Sequence, residues 1–147
     1  MKKNTILHLV LIALTVLALA SIAADDSGRK LTATMTGAAE APGPGDPDGS
    51  GTATITVNVG QGQVCWEIHV ADITLPAIGA HIHSAPTGIA GPVVVPLSSP
   101  DETGHASGCR SVDRNLIKAL MQSTEQYYVN VHTTDFPAGA VRGQLSK

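Results

Sequence analysis

Histidines in strand-like context are the residues of this chain best suited to chemistry. His81 and His83 flank Ile82, and in an extended strand alternate side chains share a face. Their Cα atoms would then lie roughly 6–7 Å apart, a gap that two imidazoles can close onto one metal ion. His132 sits in a second such run, Tyr127-Tyr128-Val129-Asn130-Val131-His132-Thr133, where Asn130 and His132 face away from Val129 and Val131. Three imidazole nitrogens from two distant segments suit copper or zinc and leave room for water or a small ligand. The competing reading is that these are surface or core histidines satisfied by backbone carbonyls. His69 and His105 are further candidates. His69 would fall opposite His81 if segments 64–70 and 77–84 paired as a hairpin, and His105 lies in a Gly-containing loop near Cys109. Arg142, in Val141-Arg142-Gly143-Gln144-Leu145, could steer an anion toward a metal or pair structurally with Asp135 or Glu67.

The elements that must position these residues read as strands. Leu31, Ala33 and Met35 alternate with threonines, the period-two pattern of a half-buried strand. The stretch 40–51 holds three prolines and four glycines and reads as a loop. Ala53, Ile55, Val57 and Val59 alternate again, Gly60-Gln61-Gly62 makes a turn, and Val64 to Val70 runs back as a hairpin partner. Ala77 to Ser84 and Val93 to Val95 are further strands, and the polar run Ser98 to Gly108 reads as loop. Leu116, Ile117, Leu120 and Met121 break the pattern, and with Asp113 as N-cap they predict one short helix over about 113–123. Tyr127 to Thr133 and Ala140 to Leu145 predict two last strands joined through Pro137-Ala138-Gly139. About seven or eight short strands with one helix predict an all-β, Greek-key β-sandwich or barrel.

The first residues indicate export. Met1-Lys2-Lys3 is followed by an apolar run from Ile6 to Ala20, and small residues at Ser21 and Ala23 precede Asp25 and Asp26. This is the order of a secretory signal peptide over 1–23, leaving a polar linker at 24–30 and one domain at 31–147. An uncleaved anchor is the alternative, because Ile6 to Ala24 approaches the length of a membrane span. Removal of the segment makes the protein periplasmic or secreted. The net charge of −3 becomes more negative once Lys2 and Lys3 are gone, which disfavours nucleic acid and anionic membrane as partners. In an exported chain, the two cysteines, Cys65 and Cys109, are expected to form a disulfide. A closed loop of about 45 residues is worth roughly 4 kcal/mol by chain entropy. Thiolate metal ligation is the alternative.

Taken together, Gly79-Ala80-His81-Ile82-His83, Gly88-Ile89-Ala90-Gly91-Pro92-Val93-Val94, Tyr128-Val129-Asn130-Val131-His132-Thr133 and Pro137 to Leu145 resemble the CHRD domain. Val64-Cys65-Trp66-Glu67-Ile68 and Ser107-Gly108-Cys109 look like its cysteine-bearing strands. Glu40-Ala41-Pro42-Gly43-Pro44 departs from the pattern expected there, and His69 and His105 lie outside it. The resemblance implies a module with a binding role in chordin and no defined molecular activity. The HxH strand, distant histidine and late arginine are also similar to the copper half of Cu,Zn superoxide dismutase, an analogy of fold and site. Two readings follow. One is a copper site on His81, His83 and His132, with Arg142 attracting a small anion such as superoxide. The other is a non-catalytic extracellular module that binds protein and uses its histidines to fasten strands.

Overall fold

The computed structural model describes residues 28–147, so the expected signal peptide and the linker up to residue 27 lie outside the described residues. Strand β1 (Arg29–Thr36) takes in the last two residues of the polar stretch. Leu31, Ala33 and Met35 point inward, while threonines occupy the other face. Next come β2 (Ser50–Asn58), β3 (Gln63–Ala71), β4 (Gly79–Ser84), β5 (Val93–Leu97), β6 (His105–Ser111), α1 (Arg114–Gln122), β7 (Tyr127–His132) and β8 (Val141–Gln144). Short 3-10 turns occupy Gly37–Ala39 and Thr124–Gln126.

Among the described residues the strands form one eight-stranded sheet in the order β5-β4-β7-β8-β1-β2-β3-β6. Every neighbouring pair is antiparallel. The sheet curls into a nearly closed barrel whose edges, β5 and β6, are consecutive in the chain. Ser98, just past β5, bridges them: its hydroxyl donates to the Ser107 carbonyl at 3.1 Å and accepts the Trp66 indole N–H at 2.9 Å. With β5 beside β6 across that seam, β3 to β6 follow a Greek-key path. The expected all-β fold is therefore present. The first and last strands are neighbours. Thr36 pairs with Arg142, and Thr32 and Ser146 exchange two backbone hydrogen bonds at 2.9 and 2.8 Å.

The interior is aliphatic, filled from alternate positions of the strands by Ile55, Val57, Val64, Ile68, Ile82, Val129 and Val131 among others. Helix α1 starts where expected. Asp113 caps it by accepting the amide N–H groups of Asn115 and Leu116, and Ile117 and Leu120 are buried in the core. Arg114 ties this helix to the β2–β3 turn through the carbonyls of Val59 and Gly60.

Three expectations are corrected. Segments 64–70 and 77–84 do not pair as a hairpin, because β3 lies between β2 and β6 while β4 lies between β5 and β7. The stretch 98–108 is not all loop, since its last residues belong to β6. That strand shows little alternation because it is an edge strand, with Ala106 as its buried residue. Arg142 pairs with neither Asp135 nor Glu67: Asp135 accepts from Thr74, and Glu67 lies against His69.

Candidate metal centre

β4 turns Ala80 and Ile82 into the barrel and leaves His81 and His83 on its outer face. On the neighbouring strand, the register sets Tyr128 opposite His83, Asn130 opposite His81 and His132 opposite Gly79. Period-two alternation on two adjacent strands therefore gathers three imidazoles on one outer patch. One ligand atom from each of His81, His83 and His132 lies within 4.8 Å of the others. His81 Nδ1 and His132 Nε2 are 3.1 Å apart.

Loops fix two of the rings. His83 Nδ1 lies 2.8 Å from the Gly91 carbonyl, so that nitrogen carries the proton and donates. Its Nε2 is then left with a lone pair, and it is buried without a hydrogen-bond partner. His132 Nδ1 donates in the same way to the Pro137 carbonyl at 3.0 Å, in the β7–β8 turn. Its Nε2 is then an acceptor, which takes the His81 Nδ1 proton across the 3.1 Å gap and lies 3.0 Å from Asn130 Oδ1. A carbonyl partner on one ring nitrogen that aims the other at a metal is the usual support for an imidazole ligand. His83 is buried, whereas His81 and His132 remain half-buried, which keeps one side of the patch open.

The charge states favour ligation. Burial pushes the pKa of His81 down, and the neighbouring His132 and His83 lower it further. Burial also lowers the pKa of His132, against the opposing effect of its bond to Pro137. Both rings therefore stay neutral, with lone pairs available, to lower pH than a free imidazole. The residues fit a metal in a second respect. Two nitrogens each about 2.0–2.1 Å from one tetrahedral ion stand a little over 3 Å apart, close to the observed His81–His132 spacing.

Tyr128 and Arg142 form the next layer. The Tyr128 ring stacks on His83 with centroids 4.8 Å apart and planes 7° from parallel. Its hydroxyl accepts the Gly91 N–H at 3.2 Å. The Arg142 guanidinium carbon sits 3.4 Å from the Tyr128 ring centroid, a cation–π contact. Arg142 is 1 % exposed and donates to the carbonyls of Ile89 and Pro86, both at 2.9 Å. Its cation thus grips the 85–92 loop, and its guanidinium does not stand at the mouth of the patch. Gly91 belongs to the same loop, and a Cβ there would collide with the Ser84 carbonyl oxygen.

His69 and His105 do not join this cluster. They pair with each other across β3 and β6, at the opposite end of the hydrogen-bonded strand order. The residues that sequence reasoning missed are supports: Gly91, Pro137 and Tyr128. All three lie in the stretches that resemble the CHRD domain, but only Tyr128 is tied to the histidines by alternation, since it shares the face of Asn130 and His132. The two carbonyls belong to loops and carry no side-chain signal.

Cys65 and Cys109 form the expected disulfide, joining directly paired positions of β3 and β6 with Cα atoms 3.9 Å apart. Fold and site together describe a disulfide-linked β-barrel domain with an outward-facing cluster of imidazoles. The family model of the CHRD domain matches residues 31–145, and the chain belongs to that family. No curated protein and no solved structure matches it.

Proposed function

We propose that this is an exported CHRD-domain protein that holds a copper ion on His81, His83 and His132. The observation that carries this reading is the Nε2 of His83. It is buried and has no hydrogen-bond partner, and one ring nitrogen of His83 lies within 4.8 Å of ligand atoms from two further imidazoles. A buried acceptor without a donor costs about 1–3 kcal/mol, a penalty that a coordinated cation would remove. A set of nitrogen ligands suits copper, with zinc as the neighbouring choice.

The protein's own residues prepare the site. Gly91 and Pro137 fix two tautomers, Tyr128 supports the His83 ring, and Arg142 holds the loop that carries Gly91. Copper's one-electron couple would supply the chemistry for superoxide dismutation, and the half-buried edges of His81 and His132 leave a small anion an approach. In this reading Arg142 is a positioning residue. Export rests on the basic and apolar start of the sequence and on the disulfide, which suits an oxidising compartment.

A second reading has its own support. His83 and His132 each hydrogen-bond a loop carbonyl, so the histidines could serve only to fasten loops in a non-catalytic extracellular binding module. Calorimetric titration of the purified domain with Cu(II) separates the two. At least one equivalent per chain is expected, and one of the bound equivalents is weakened at least tenfold in His81→Ala and in His132→Ala with unchanged far-ultraviolet dichroism. Affinity equal to wild type in both variants would remove the copper site. Copper-loaded protein with no superoxide consumption above free-copper controls would remove the enzyme and leave the binding site.

A further inference from the structure

A second group of ligating side chains lies outside that site. β3 turns Cys65, Glu67 and His69 outward, and β6 turns Cys109, Ser107 and His105 outward opposite them. His69 and His105 are directly paired, and their ring centroids are 4.8 Å apart. Glu67, two residues before His69 on the same face, places a carboxylate oxygen 3.2 Å from His69 Nε2. One ligand atom from each of Glu67, His69 and His105 lies within 4.8 Å of the other two.

We propose that Glu67, His69 and His105 form a second, surface metal site that takes a divalent transition cation of the zinc class. Two imidazoles and one carboxylate are a ligand set that zinc accepts, with water in the fourth position. The side chains of Glu67 and His69 are about 60 % exposed, so the ion exchanges readily with solvent. The geometry does not depend on mobile loops, because all three residues stand on paired strands.

Register is what brings them together, and the disulfide fixes it. A slip of one residue between β3 and β6 would send His69 and His105 to opposite faces. The Cys65–Cys109 link, on the same outward face four residues along β3, forbids that slip. Among the described residues β6 is an edge strand, bonded in the sheet only to β3. A bound cation would therefore clip this edge a second time.

The test uses the oxidised domain of residues 24–147 and Zn(II) alone as probe. A His81→Ala/His132→Ala variant, in which the proposed copper site is disabled, should still bind one equivalent of Zn(II). Adding His69→Ala or His105→Ala to it should weaken that binding at least tenfold. Should the double variant fail to fold, His69→Ala in the wild-type background should reduce the Zn(II) stoichiometry by one. Absence of Zn(II) binding in a folded double variant, or binding indifferent to both His69→Ala and His105→Ala, would overturn the site.

Discussion

Glu40 shows how burial at one residue can shape the behaviour of the protein with pH. Its carboxylate packs against Gly139 in the β7–β8 turn, and its Oε1 is buried without a partner. Burial raises its pKa from 4.5 to about 7, against the pull of Arg142 and of a hydrogen bond from the Ala41 backbone. Between those values the unfolded chain has released a proton that the folded chain keeps. Stability therefore falls as pH rises through that window and stays lower above it. His81 and His132 act with the opposite sign. Their pKa values are lowered on folding, so the stability linked to them is present above the unfolded value of 6.5 and is lost as pH falls. Glu40→Gln should remove the first effect and leave the second. Thermal unfolding of the metal-free variant should show a larger gain in stability from pH 5 to pH 8 than wild type shows. An identical pH profile in both proteins would mean that Glu40 does not titrate in this way.

At the scale of elements, the 85–92 loop couples the barrel's outer face to the imidazole patch. Gly91 is wedged against the Ser84 carbonyl, accepts from His83 and donates to Tyr128. Gly91→Ala should push the loop outward and release the His83 ring, although no ligand is altered. The expected result is Cu(II) affinity at least tenfold weaker with the β-sheet dichroism retained, read by the titration used for the histidine variants. Unchanged affinity would show that the His83 ring keeps its aim without the loop.

Much of this level was legible in the sequence. The alternation in 31–36 and 52–59, the Asp113 cap and the HxH strand each report one face of one element. The histidine patch was legible too, because alternation places His81 with His83 and Asn130 with His132 before any pairing is known. Beyond the β2–β3 hairpin, which the Gly60-Gln61-Gly62 turn announces, what could not be read was which strands neighbour one another. The path from β3 to β4 looks like a hairpin, because its intervening loop is short enough for one. Pairing of β3 with β6 instead depends on the closure of the whole barrel. β6 shows in the family-like stretch at Ser107 to Cys109 but hardly at all in alternation, since an edge strand needs one apolar face at most, and here that face is chiefly Ala106. The sequence offers Arg142 as an anion-steering residue or as a structural partner of Asp135 or Glu67, and its burial carries no signal there because arginine is seldom buried. Its burial is explained by the carbonyls of Pro86 and Ile89 and by the Tyr128 ring.

For the whole molecule, the meeting of β1 with β8 matters most. Removing Ser146 and Lys147 deletes the two backbone bonds that Ser146 shares with Thr32, which should cost about 1–3 kcal/mol and leave a cooperative urea transition. Removing residues 141–147 should abolish that transition, since Val141, Arg142 and Leu145 are all buried. A stable, cooperative 28–140 fragment would contradict this. The same adjacency has a temporal consequence. A strand that enters the sheet between β2 and β8 cannot acquire its second neighbour until β8 is present. Contacts of such long sequence separation belong to slow-folding topologies. A chain made or delivered from its amino end therefore holds β1 half-paired until β8 arrives, and the barrel cannot close before then.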